Sequence, residues 1–88
     1  MASVAELKSV SEELYEKRTL AQMAVRRAER LFVDAPIDDT PAALARLRAA
    51  RIECRQVEDE YEASRKQLRE AVKADLDATL AGIRNGAA

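Results

Sequence analysis

The chain has 88 residues, of which 35% are charged and 3% are aromatic, and its formal net charge is −1. One cysteine cannot form a disulfide within the chain, and the absence of histidine removes the usual imidazole base and the usual zinc ligands. So short a chain forms one domain, residues 1–88, with a thin core, so its stability should come from close helix packing or from a partner.

The composition favours long helices and excludes several other classes. Alanine, leucine, arginine and glutamate dominate, as in coiled coils. No apolar run is long enough for a membrane-spanning helix, and the first residues, which include Glu6, lack the pattern of a signal peptide. We therefore expect a protein of the cytoplasm or of an assembled particle, without a membrane partner. The alanine- and arginine-rich usage suggests a GC-rich bacterial or phage gene.

The first predicted helix covers about residues 4–34. Ser3 and Glu6 have the spacing of a capping box, in which two side chains satisfy free amides of the first turn. The helix should end near Asp34, because Pro36 disfavours the helical conformation of the residue before it. Its apolar stripe has heptad-like spacing with a charged interruption. The stripe consists of Val4, Leu7, Val10 or Ser11, Leu14, Lys17 or Arg18, Ala21, Ala24 or Val25, Ala28, and Leu31 or Phe32.

The second predicted helix covers about residues 41–83 and follows a loop at 35–40. Thr40 is the expected N-cap, and Pro41 suits the first helical position, where its missing N–H costs nothing. We expect the tail, residues 84–88, to fray. The stripe of this helix consists of Leu47, Ala50, Cys54, Val57, Tyr61, Ser64, Leu68 and Ala71.

These elements predict an all-α fold, a coiled-coil-like antiparallel hairpin whose second helix is longer than the first. The short loop makes the helices antiparallel neighbours. Folding the chain about residue 37 pairs stripe positions whose numbers sum to roughly 75, and several pairs match a larger residue with a smaller one. We expect the hairpin to complete a helical bundle with other subunits. In outline it resembles small secreted helical-hairpin proteins, but its loop lacks their Trp-x-Gly turn.

The end of helix 2 is the leading candidate for partner binding. Beyond Ala71 its apolar stripe continues with nothing in the chain opposite it, at Val72, Leu76, Leu80 and Ile83. Four such side chains favour a partner, and the alternative is a frayed tail that folds back loosely. Three further apolar residues lie off the seam and are secondary candidates, namely Leu20, Met23 and Ile52.

Charge is segregated along the predicted rod. Residues 17–30 carry five basic side chains against one acidic, and residues 41–55 carry four against one. The resulting basic half is formed mainly by Arg26, Arg27, Arg30, Arg46, Arg48, Arg51 and Arg55. It would suit an acidic protein or nucleic-acid phosphates, or it is simply a solvated surface. The near-neutral total and the lack of stacking aromatic residues in these stretches disfavour nucleic acid.

We expect a non-catalytic protein–protein interaction module without cofactor or metal. Cys54 lies on the seam, where a buried thiol acts as a small apolar residue, and no glycine-rich phosphate loop is present. The leading hypothesis is a structural or assembly component that forms a homo-oligomer or joins a larger complex through the end of helix 2. The alternative is a small chaperone, adaptor or inhibitor that presents its basic half to an acidic client.

Overall fold

The computed structural model describes residues 2–87 and consists of two long helices joined by a short link. Helix α1 covers Val4–Asp34, a single 3-10 turn covers Ile37–Asp39, and helix α2 covers Thr40–Ala87. About 95% of the chain is helical. The predicted all-α hairpin with a longer second helix is therefore confirmed.

The start of α1 follows the predicted capping pattern. The Ser3 hydroxyl accepts a hydrogen bond from the backbone N–H of Glu6 at 3.1 Å, and Ser3 itself has extended backbone angles. An N-cap of this kind satisfies one of the amides that have no partner within the helix. The Ser3 half of the expected capping box is thus present.

The link differs from the prediction at Thr40. The extended Ala35 and Pro36 end α1, and the 3-10 turn then continues directly into α2. Thr40 has helical angles, and its hydroxyl donates to the Pro36 carbonyl at 3.1 Å. Because the turn already supplies carbonyl partners for the Asp39 and Thr40 amides, Thr40 is the first residue of α2 and not its N-cap.

The described part of the tail, residues 84–87, which was expected to fray, is helical. Helix α2 continues to Ala87, and Gly82 and Gly86 have negative φ angles. Glycine ends a helix when it adopts the left-handed conformation of a C-cap, which neither residue does here. The last residue, Ala88, lies outside the described range.

The seam between the helices contains the predicted stripe residues. Every predicted position of the α2 stripe is buried or half-buried. Where the α1 pattern left two choices, the later residue faces α2 each time, at Ser11, Arg18, Val25 and Phe32. The seam is nevertheless thin, because none of the described side chains is fully buried.

Contacts across the seam support the predicted register. The Tyr15 and Tyr61 ring centroids lie 5.8 Å apart, which matches a fold-back near residue 38. The Gln22 amide donates to the Glu58 carboxylate at 3.3 Å, two turns closer to the link on α1 and about one turn closer on α2. Both contacts therefore join α1 to α2 in the antiparallel order.

The molecule is a rod of 77 × 18 × 14 Å. A 48-residue helix is roughly 72 Å long at 1.5 Å per residue, so α2 sets the length of the rod. The 31 residues of α1 cover only part of it. The difference leaves one end of α2 without a neighbour among residues 2–87.

The register predicts that Ala21 and Cys54 share one layer. An Ala21→Cys variant should form a disulfide within one chain under mild oxidation, because the bond needs the two Cα atoms to lie within about 7 Å, as a shared layer predicts. Non-reducing mass spectrometry of the monomer measures it. The matched control is Ala63→Cys, which lies on the same helix as Cys54 but roughly 13 Å away along the axis. It should cross-link only between chains, and the same behaviour for Ala21→Cys would contradict the register.

Candidate partner-binding surfaces

The unaccompanied end of α2 is a helix exposed on all sides. Every residue from 72 to 86 is exposed. The four apolar side chains predicted to bind a partner remain exposed by 47% at Val72, 56% at Leu76, 44% at Leu80 and 62% at Ile83. We call residues 72–86 the overhang. Roughly half of each aliphatic side chain is thus available for burial by another molecule.

The apolar stripe of the overhang is rotated away from the seam. Seam positions of α2 alternate in steps of three and four, so their continuation past Ala71 is Asp75, Ala78 and Gly82. Val72 and Leu76 are each one residue further along, which turns them by about 100° around the helix. The expectation that the stripe continues the seam is therefore corrected. Once α1 has ended, no packing partner holds α2 to the heptad period.

That rotation places the stripe in line with a groove on one flank of the hairpin. The groove has a wall from α1 and a wall from α2 and a volume of about 480 Å³. Val4, Lys8 and Tyr15 line one wall, and Tyr61, Leu68 and Val72 line the other. A second depression shares Leu68 and Val72 and extends to Leu76. The flank groove and the overhang stripe thus form one continuous surface.

A tyrosine–arginine cluster lies at the far end of the flank groove. The Tyr15 and Tyr61 rings meet edge to face at 64°, and the Arg18 guanidinium carbon lies 6.0 Å and 5.3 Å from their centroids. Such cation–π contacts hold an arginine in place without a carboxylate. This cluster was not anticipated from the sequence, because Tyr15 is one residue off the predicted stripe. Its neighbour on α2, Tyr61, was assigned to the seam, and Arg18 was one of two choices for its position on α1.

The predicted basic half is present as an exposed surface on both helices. All seven of its arginines are exposed. Among the described residues, one ion pair lies within 4 Å, between Arg51 and Glu29 at 3.6 Å. Both of its side chains are at least half exposed, so it contributes little to stability. The remaining arginines are free to meet counterions or an acidic surface.

The secondary apolar candidates do not form one surface. Leu20, Met23 and Ile52 are all more than half exposed. Leu20 lines a groove between the helices on the flank opposite the overhang stripe. Further apolar exposure occurs near the link, at Val33 and Ile37, which the stripe analysis did not select. Isolated exposed apolar residues are common, so these positions are weaker candidates than the overhang.

Cys54 is a buried thiol with a carboxylate neighbour. Its sulfur donates to Glu58 Oε1 at 3.4 Å. Desolvation, the hydrogen bond and the charge of Glu58 raise the pKa of the thiol above its ordinary value of 9.0, and Arg18 opposes them. The thiol therefore stays protonated at neutral pH, whereas a nucleophilic cysteine needs a lowered pKa.

The described residues contain no cluster of three or more side chains suited to a metal ion. No helix within residues 2–87 has the length and apolar character needed to cross a membrane. Comparison with protein families, with characterised proteins and with solved structures gives no match. The surfaces described above must therefore be interpreted from their own chemistry.

The raised pKa of Cys54 predicts a pH-dependent contribution to stability. Folding favours the neutral thiol, so this contribution is complete below pH 9 and is lost as the pH rises through the folded-state pKa. The difference in unfolding free energy between the native protein and Cys54→Ala should therefore shrink between pH 8 and 11. Urea unfolding at a series of pH values measures it. All other side chains are common to both proteins, so their contributions cancel, and a constant difference would refute the expectation.

Proposed function

We propose that this chain is a non-catalytic assembly module that docks on other protein through the overhang of α2. The observation that carries the proposal is the apolar stripe Val72, Leu76, Leu80 and Ile83, which the described residues leave about half exposed. Full burial of one aliphatic side chain contributes about 1.5–3 kcal/mol. Because about half of each is still exposed, covering all four would contribute roughly 3–6 kcal/mol before the costs of association.

The shape of the molecule supports the same role. Two helices bury one face each, so the outer surfaces remain open for further helices. The flank groove gives a third helix two walls to pack against, and the overhang extends that contact. This arrangement fits a subunit that completes a helical bundle, as a homo-oligomer or within a larger bacterial or phage complex inside the cell or particle.

Replacing Leu76 and Leu80 by lysine tests the proposal. The hairpin should stay helical, because the seam ends at Ala71 and is untouched. Association should weaken at least 100-fold, since the loss of apolar anchors commonly costs about 2 kcal/mol or more each. Circular dichroism measures the helicity, and light scattering together with comparative co-purification from source cells measures the association.

The matched control is Ala74→Lys with Ala78→Lys. These positions have the same spacing and the same change in charge, but they lie on the opposite face of the overhang. Association should survive in this variant. An equal loss of association in both variants would indicate a general effect of charge on the helix end. Unchanged association in both would show that the overhang is not the docking surface.

A second candidate function is an adaptor or inhibitor that presents its basic half to an acidic client. The observation that favours it is the set of seven exposed arginines on adjoining parts of both helices, of which only Arg51 is ion-paired within the described residues. Such a surface steers an oppositely charged partner and sets the association rate.

Salt separates the two candidates. Exposed charges are screened beyond about 10 Å at 0.1 M ionic strength, whereas apolar burial is not weakened by salt. Docking through the overhang should therefore persist from 0.05 M to 1 M sodium chloride in sedimentation experiments. A steep loss of association as the salt concentration rises would favour the basic half instead. In that case Arg26→Gln with Arg30→Gln should weaken association further.

A further inference from the structure

The flank surface of α2 has a self-complementary spacing. Its residues follow one another in steps of three, four, four, four and three, an order that reads the same in both directions. They are Arg65, Leu68, Val72, Leu76, Leu80 and Ile83. The centre of this pattern is at the level of Ala74. A surface with this symmetry matches an antiparallel copy of itself, which is the requirement of a two-fold interface.

We infer that the partner covering the overhang is a second copy of this chain, packed antiparallel about a two-fold axis at the level of residue 74. The inference rests on the proposed function and names the occupant of the same surface. Val72 of one copy then lies level with Leu76 of the other, and Leu68 lies level with Leu80. Each copy thus covers the exposed apolar side chains of the other.

The length of the overhang agrees with the length of the α1 wall of the flank groove. The overhang of 15 residues is roughly 22 Å long. The α1 wall of the flank groove extends from Val4 to Glu16, roughly 18 Å. In the antiparallel arrangement Leu76 of one copy lies level with Val4 of the other, and the overhang ends near Leu14. It thus contacts both helices of the second copy along most of its length.

The charges favour the antiparallel orientation over the parallel one. A parallel pair in register would place Arg65 against Arg65 within the apolar stripe, where like charges repel. The antiparallel pair instead separates the two Arg65 side chains by roughly 27 Å along the axis, each level with Ile83 of the other copy. Lys73 and Arg84 balance Asp75 and Asp77, so the overhangs carry no net charge that would hold the copies apart.

Two spin-labelled variants of the full chain test the arrangement. Lys73→Cys and Arg84→Cys, each in a Cys54→Ala background, carry a nitroxide label on the exposed rim of the stripe. In the antiparallel dimer the labels at 73 lie almost level, so their separation should be short, under about 20 Å. The labels at 84 should be separated by about 30 Å along the axis. Pulsed electron paramagnetic resonance measures both distances.

Sedimentation of the same proteins gives the stoichiometry, and each outcome decides the inference. A dimer with a short distance at 73 and a long one at 84, dissociated by Leu76→Lys with Leu80→Lys, supports it. Short distances at both sites indicate a parallel dimer and overturn it. A chain that stays monomeric at 0.1 mM also overturns it, and if the lysine variant still loses a cellular partner, the proposed docking function survives. A dimer insensitive to the lysine substitutions would overturn both.

Discussion

The seam between α1 and α2 is the one apolar interface on which every other feature of the described structure depends. Each helix can bury only one face, and small residues such as Ala28, Ala43 and Cys54 occupy much of that face. Small side chains allow the helix axes to approach closely, but they contribute little buried area. None of the described side chains is fully buried, so a partner that covers the outer faces would add substantially to stability.

Polar residues placed within the seam restrict how the helices can slide. Ser11 and Ser64 are among the most buried side chains, and Arg18 lies against two tyrosine rings. Glu58 accepts hydrogen bonds from both Gln22 and Cys54. A shift by one heptad would separate Arg18 from the rings and Glu58 from Gln22, and a lost polar partner costs more than a misplaced alkyl contact. The seam therefore combines modest stability with a well-defined register.

Much of this fold was predictable from the sequence, because the signals that start and end its helices are local. Ser3 and Pro36 mark helix ends through hydrogen bonding and backbone restriction that act within a few residues. Heptad spacing alone could not decide whether Val10 or Ser11 faces α2, since that choice depends on the partner helix. The rotation of Val72 and Leu76 off the seam was missed for a different reason, since it follows from spacing alone. The three-and-four alternation of the seam leads from Ala71 to Asp75, whereas the apolar side chains had been joined into one stripe. The functional role of this stripe stays a prediction.

The overhang also has a consequence for the thermodynamics of docking. An isolated peptide of this length is a marginal helix in water, because the first turn is costly to form. Here the first turn is already supplied by the part of α2 that packs on α1, so the overhang extends an existing helix residue by residue. Gly82 lies in it with no neighbour that would require the absence of a side chain, and glycine lowers helix stability by about 1 kcal/mol relative to alanine. The strength of the docking proposed above would therefore be adjustable through the winding and unwinding of the last turns, by substitutions that never touch the partner.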